Sequence, residues 1–314
     1  MECSWDSDNT ITAMNDEARN SLRVIGLQLD SDQYPHVYNG GVVQPGDAAI
    51  VTSTPGEDMN NVKRKQARSA TGSRQRAARR QRTSGQPGPP GQAPQLICAS
   101  LRETYEAELD ALRDAYPGTK IWQQAEGMWL LSESSVLPGL DKTATFLTAI
   151  PFSPQFLQKS WGFWITPVYW EWIGPRHTNF GDGSICAFDP KDDTWRPGDS
   201  LITLLDLYTL WALRHEHLKM LGRWPGRQAV PHTYERLSES HPDELCGCNR
   251  NGKRYAECCQ PHDQARPLGD SFFQFMKFTQ GQLDRSPPRA ICEFIKCRQA
   301  PPPIKDFLAS LNGH

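Results

Sequence analysis

No run of apolar residues in this 314-residue chain is long enough to cross a bilayer. The most apolar stretch, Leu201 to Leu213, is broken by Asp206 and falls short of the roughly 20 residues a spanning helix needs. The opening residues MECSWDSDNT have neither a basic start nor an apolar core, so neither a secretion signal nor a transit peptide is expected. An excess of one charge is lacking too: 34 Lys and Arg against 36 Asp and Glu leave a net −2, which gives no global pull towards nucleic acid. A cytoplasmic protein with no membrane partner follows as the expectation. Nine cysteines in such a chain imply a reducing compartment, where thiols serve as ligands or nucleophiles and a disulfide framework is not expected.

Four stretches differ in composition. Residues 1–62 carry two short strand-like runs, Leu22 to Leu29 and Ala49 to Thr52, consistent with a small β module or a weakly ordered arm. Residues 63–94 hold a basic run from Lys63 to Arg82 without one acidic or large apolar side chain, followed by TSGQPGPPGQAP. Such a stretch buries no core, and its composition is that of a disordered linker. Its cations suit salt-sensitive, sequence-independent contact with nucleic-acid phosphates, or else form only a solvated linker. Residues 95–240 hold most of the periodic pattern, and residues 241–314 hold the cysteine-rich part.

The periodic part reads as α+β. Leu101, Tyr105, Leu109, Leu112 and Tyr116 recur at helical spacing, Ser100 with Glu103 forms a capping box, and Pro117-Gly118 stops the helix. Lys120 to Gln123, Met128 to Ser132, Thr143 to Ile150 and Gly162 to Val168 are β-branched and aromatic runs separated by turn formers, the pattern of a four-stranded antiparallel meander. Trp161, Trp164, Trp170 and Trp172 read as core packing. An irregular loop with a single cysteine comes next, and then a helix from Leu201 to Gly222 capped by Asp199 or Ser200. On that helix His215 and His217 read as solvent-facing or capping side chains.

The loop HTNFGDGSICAFDPKDDTWRP sets Cys186 among turn formers and polar residues, where a thiol is reachable by large partners. With its flanking elements it resembles the ubiquitin-conjugating enzyme (UBC) family. His177-Thr178-Asn179 stands where that family has HPN, Gly183-Ser184-Ile185-Cys186 matches its cysteine motif, and Trp195-Arg196-Pro197 matches its W-x-P ahead of a helix. It departs from the family in Thr178 for proline, in a spacer one residue shorter, and in Ala-Phe-Asp after the cysteine. The resemblance implies a UBC fold of the bacterial, divergent type. Cys186 would carry the C-terminal glycine of a ubiquitin-like protein as a thioester, received from an activating enzyme and passed to a lysine. It further implies Asn179 as oxyanion donor, His177 as a loop-ordering residue and not a base, and a place in antiphage defence. In a variant of such systems the carried chain is the C-terminal tail of a cyclic-oligonucleotide nucleotidyltransferase. Asp182, Asp189, Asp192 and Asp193 are candidates to orient or deprotonate the lysine.

Cys246-x-Cys248 and the adjacent Cys258-Cys259 make two close thiol pairs, a set that suits tetrahedral structural zinc; His262 is an alternative to Cys259. The segment resembles the zinc motif at the C-terminus of SecA-type translocation ATPases, with Gly252-Lys253-Arg254-Tyr255 in place of GKKY and one extra residue after Cys248. Cys292 and Cys297 read as plain thiols, SFFQFMKF as a helix packed on the zinc module, and the proline-led end as a short helix.

Overall fold

Four strands form one antiparallel meander in the order β3-β4-β5-β6: β3 (Lys120–Gln123), β4 (Gly127–Glu133), β5 (Thr145–Pro151) and β6 (Trp161–Trp164). The computed structural model describes residues 36–38, 41–43, 93–152, 161–165, 176–188, 194–248, 252–297 and 300–311, giving the backbone at 36–38, 41–43 and 93–100. A two-stranded hairpin, β1 (His36–Tyr38) with β2 (Gly41–Val43), precedes the meander and lies between the two strand-like runs expected in residues 1–62. The strand-like runs 22–29 and 49–52, the basic run 63–82, Trp170, Trp172, Asp189, Asp192 and Asp193 lie outside the described residues.

Both faces of the sheet are covered, so its central strands are apolar nearly throughout instead of alternating with polar residues. On one face Met128, Leu130, Phe146, Ile150 and Trp164 meet α1 (Ala93–Ala115) and α2 (Leu201–Leu221). The helix α1 contributes the predicted stripe from Leu101 to Leu112, with Tyr116 just beyond its end. It begins at Ala93, so Ser100 and Glu103 lie inside the helix and do not cap it. On the other face Trp129, Leu147, Ala149, Trp161 and Phe163 pack against α6 (Arg289–Cys297) and α7 (Ile304–Leu311). Phe307 of α7 sits in an aromatic box with Trp129, Trp161 and Phe163 at ring separations of 5.1, 6.1 and 6.1 Å. The indole of Trp129 donates to the carbonyl of Pro302 at 2.8 Å, pinning the proline-led segment to the sheet.

The helix α2 is capped from two sides. Ser200 is its N-cap, and Glu108 of α1 accepts from the Ser200 hydroxyl and from the Leu201 N–H at 2.8 Å, placing a carboxylate at the positive helix end. Gly222 closes the far end with φ 66°, a backbone conformation that glycine adopts without strain. Buried almost all round, this helix holds Asp206 against the Tyr116 hydroxyl at 2.7 Å.

His215 and His217, expected to face solvent or cap the helix, are instead fully buried, because the part of α2 that carries them is packed against its neighbours. His215 lies 3.8 Å from the ring of Trp211 and 5.0 Å from that of Trp224, and neither ring nitrogen has a hydrogen-bond partner. Burial holds His215 well below the usual imidazole range and His217 at about 4. The unfolded chain therefore takes up protons that the folded chain refuses, and stability falls as pH drops below about 6.5. His215→Leu, which removes two unsatisfied buried atoms at similar volume, is expected to raise the unfolding free energy by about 1–2 kcal/mol. The gain should widen from pH 7 to pH 5 in urea titrations, since the variant lacks the protonation that penalises the wild type.

Three more helices complete the described part: α3 (Thr233–Glu239), α4 (Gln260–Gln264) and α5 (Leu268–Phe278). Phe275 of α5 packs on Tyr234 of α3 and on Phe180 of the cysteine loop, at ring separations of 5.2 and 5.1 Å. SFFQFMKF thus rests on α3 and the loop, where its aromatic face finds aromatic partners. No helix among the described residues is long and apolar enough to cross a membrane.

Candidate functional site

The two motif halves around Cys186 are the arms of one small hairpin. Thr178 pairs with Ile185; the Asn179 N–H donates to the Ser184 carbonyl at 2.7 Å, and the Cys186 N–H to the His177 carbonyl at 2.9 Å. The Ile185 N–H reaches the Gly162 carbonyl of β6 at 2.8 Å, hooking the loop to the sheet edge. Side chains alternate along such an arm, so Ile185 is buried and Cys186 exposed.

Gly183, at φ 63°, lies on the backbone of residues 285–287: a Cβ there would fall onto the Arg285 carbonyl oxygen and stand 2.7 Å from the Ser286 carbonyl carbon. Gly183→Ala combines a left-handed backbone with a clash that no side-chain rotation relieves. A loss of about 2–4 kcal/mol in chemical denaturation is expected, as for strain combined with overpacking.

The side chains of the hairpin brace it. Asn179 Nδ2 donates to Ser184 Oγ at 2.9 Å and to the Ile185 carbonyl at 3.4 Å. Buried Asp182 accepts from the Ser184 hydroxyl at 2.6 Å, from the Ser184 N–H at 3.0 Å and from the Trp161 indole at 3.3 Å. His177 adopts φ 54°, unusual for a residue with a side chain; its carbonyl accepts from both the Cys186 N–H and the Trp211 indole, the latter at 2.8 Å.

The ring of His177 turns away from the hairpin, 4.3 Å from that of Trp224, with Nε2 at 3.1 Å from Gln228 Oε1. Burial, with Arg176 next to it, pushes its pKa down to about 3, so the ring is neutral at physiological pH. The Gln228 amide is oriented by its other partners: Oε1 accepts from Arg176 Nη2 at 2.8 Å, and Nε2 donates to Glu244 Oε2 at 2.9 Å. His177 therefore donates through Nε2–H, leaving this nitrogen no lone pair with which to act as a base. Behind it, Arg176 and Glu244 form a buried bidentate ion pair, and Glu244 Oε1 also accepts the Trp224 N–H at 2.6 Å.

Cys186, Asn179 and His177 line one cavity of about 1110 Å³. Its walls include Leu207, Leu210 and Trp211 of α2, the segment 227–232, and residues 278–280, 282 and 285. Glu235 and Glu239 of α3 share Arg285 there, at 2.8 and 2.9 Å. Burial and the neighbouring Glu239 push the Glu235 carboxyl up to about 7.

The other predicted set also comes together. The sulfurs of Cys246, Cys248, Cys258 and Cys259 lie within 4.8 Å of one another, an arrangement able to hold a metal ion, with Cys248–Cys258 at 3.6 Å and Cys258–Cys259 at 3.8 Å. A short ladder builds it: the Cys246 N–H donates to the Lys253 carbonyl at 2.8 Å and Leu245 pairs with Arg254. Burial and mutual proximity push the Cys246 and Cys259 thiols up, so the set resists ionisation until a cation compensates it. His262 is exposed and lies outside the set. Buried Asp263 receives Arg236 through two bonds, Nε at 2.7 Å and Nη2 at 2.8 Å, and the Tyr255 hydroxyl at 3.2 Å.

Gln228, Trp224, Arg176 and Glu244 escaped the sequence reading. Only Arg176 adjoins a motif; the other three are brought to His177 from 47 to 67 residues away by a segment without periodicity. No protein-family model, curated protein or solved structure matches this chain.

Proposed function

We propose that the protein is a ubiquitin-conjugating-type acyl carrier with a UBC fold and a structural zinc centre. One observation supports this above the rest: Cys186 is the exposed residue of a braced hairpin, hooked to a sheet edge and opening on a cavity. A buried structural cysteine would be inert there, whereas an exposed one on a rigid frame suits acyl transfer between large partners.

In the reaction the Cys186 thiolate attacks the carbonyl carbon of a C-terminal glycine held as a thioester on an activating enzyme. The new C–S bond forms as the old one breaks, and the electron pair leaves on the activating enzyme's sulfur. A lysine amine then attacks the same carbon, the bond to Cys186 breaks, and the amine loses a proton as the isopeptide forms. Asn179 holds the loop in the resting state, and its Nδ2–H can serve the oxyanion once the weaker 3.4 Å contact to Ile185 gives way. His177 and Asp182 fix the frame.

Zinc is the metal favoured by the donor set: four thiolates at about 2.3 Å from a tetrahedral ion stand roughly 3.8 Å apart, close to the 3.6 and 3.8 Å of the Cys248–Cys258 and Cys258–Cys259 pairs. When bound, zinc supplies folding free energy to this segment, and four protein ligands leave no open position for a substrate.

Co-expression with candidate activating enzymes and ubiquitin-like proteins, followed by non-reducing gels and mass spectrometry, tests the assignment. A reductant-labile adduct on the Cys186 peptide is expected; its absence with every activating system that charges a control carrier would overturn the reading.

A further inference from the structure

The cysteine cluster and Cys186 are joined by a continuous run of short contacts. Residues 244–247, which lead into the cluster, hold the cavity wall at 228–230. The Val230 N–H donates to the Gly247 carbonyl at 2.8 Å, and Gln228 Nε2 donates to Glu244 at 2.9 Å and to the Leu245 carbonyl at 3.3 Å. Gly247 has no side chain because Val230 fills the space: a Cβ would stand 2.6 Å from Val230 Cβ. From the cluster's other end, Asp263 orients Arg236, whose Nη1 donates to the Val230 and Pro231 carbonyls at 3.0 and 2.6 Å. Gln228 then holds His177 at 3.1 Å, and the His177 carbonyl holds the Cys186 N–H at 2.9 Å.

We propose that the four-cysteine metal centre anchors the Cys186 loop, with Gln228 and Glu244 as positioning residues between them, so that metal occupancy sets how rigidly Cys186 is presented. Metal neutralises four crowded sulfurs and fixes residues 244–248 against 258–259. Without it the ladder at 245–254 loses its closure, Gln228 loses two of its acceptors, and His177 is left in a left-handed conformation with fewer restraints. The functional weight of this coupling rests on the reading of Cys186 as a nucleophile, but the coupling itself is measurable without it.

Amide hydrogen exchange on the full chain, read by mass spectrometry, tests it in zinc-loaded protein, in protein stripped with a chelator, and in Gln228→Met at full zinc content. Stripping is expected to speed exchange in peptides spanning 176–188 by about tenfold beyond any change in β4 and β5, the size of a lost net hydrogen bond. Gln228→Met should reproduce the faster exchange with the metal in place. If residues 244–260 open on stripping and 176–188 keep their rate, or if Gln228→Met exchanges like the wild type, the coupling is wrong. Should stripping open β4 and β5 as well, the Gln228→Met comparison alone decides. Adduct formation on zinc-loaded protein is scored separately: its failure removes the carrier reading and leaves the exchange result standing.

Discussion

Cys186→Ser is expected to convert a reductant-labile adduct into one that survives reductant and yields only to hydroxylamine or base, and Cys186→Ala to abolish the adduct altogether. A thiol near neutral pH has a few per cent of its population as thiolate, and sulfur is intrinsically nucleophilic. A serine hydroxyl without an adjacent base is neither ionised nor activated. The hairpin offers no such base: burial and the adjacent Arg176 push the pKa of the His177 ring down to about 3, too weak a base to activate a hydroxyl, and Asp182 is buried under Ser184 and Trp161. Charging of the serine variant should therefore be slow as well as chemically distinct. Cys292→Ser and Cys297→Ser, at positions outside the cavity, should charge like the wild type. The measurement is time-resolved intact mass spectrometry with and without reductant; labile adducts that persist in Cys186→Ala would move the chemistry to another residue.

Removing an ion from the four-cysteine set has the second large expected effect. Structural zinc in small thiolate sites contributes an apparent 10–16 kcal/mol or so at neutral pH, much of it folding free energy. The segment around the cluster has little core beyond Tyr255 and Leu245, and it carries the buried Arg236–Asp263 pair, whose charges are costly once their frame opens. Cys258→Ser or chelation is expected to lower Tm by about 10 °C or more, at the roughly 2–4 °C per kcal/mol typical of a domain this size. Elemental analysis should return one zinc per chain in the wild type. A chelated protein melting at the wild-type temperature would show that the thiols need no ion.

What was legible in the sequence was local. The stripe from Leu101 to Tyr116, the four strand runs and the Leu201–Leu221 helix each carry their own periodicity, and the two cysteine sets carry their own spacing. The hairpin at 36–43 had a readable signal as well, since Asn39-Gly40 between two β-prone triplets suits a two-residue turn. Burial on the second face of the sheet was not legible, because Phe294 and Phe307 meet Trp122 and Trp129 across more than 170 residues. The same holds for His215 and His217: a helix apolar all round can place polar residues inside, and only the tertiary neighbours decide. The Gln228–His177 contact had no sequence signature at all, being one neutral amide chosen from many by the path of an irregular segment.

Gly183 leaning on residues 285–287, and Phe307 closing the box under β4 and β6, set an order in time. Translation delivers Cys186 about 100 residues before these supports, so on the ribosome the thiol rides on an incomplete scaffold with Trp129, Trp161 and Phe163 still uncovered. The Cys186 sulfur thus receives its finished setting only after residues 285–287 and Phe307 have emerged.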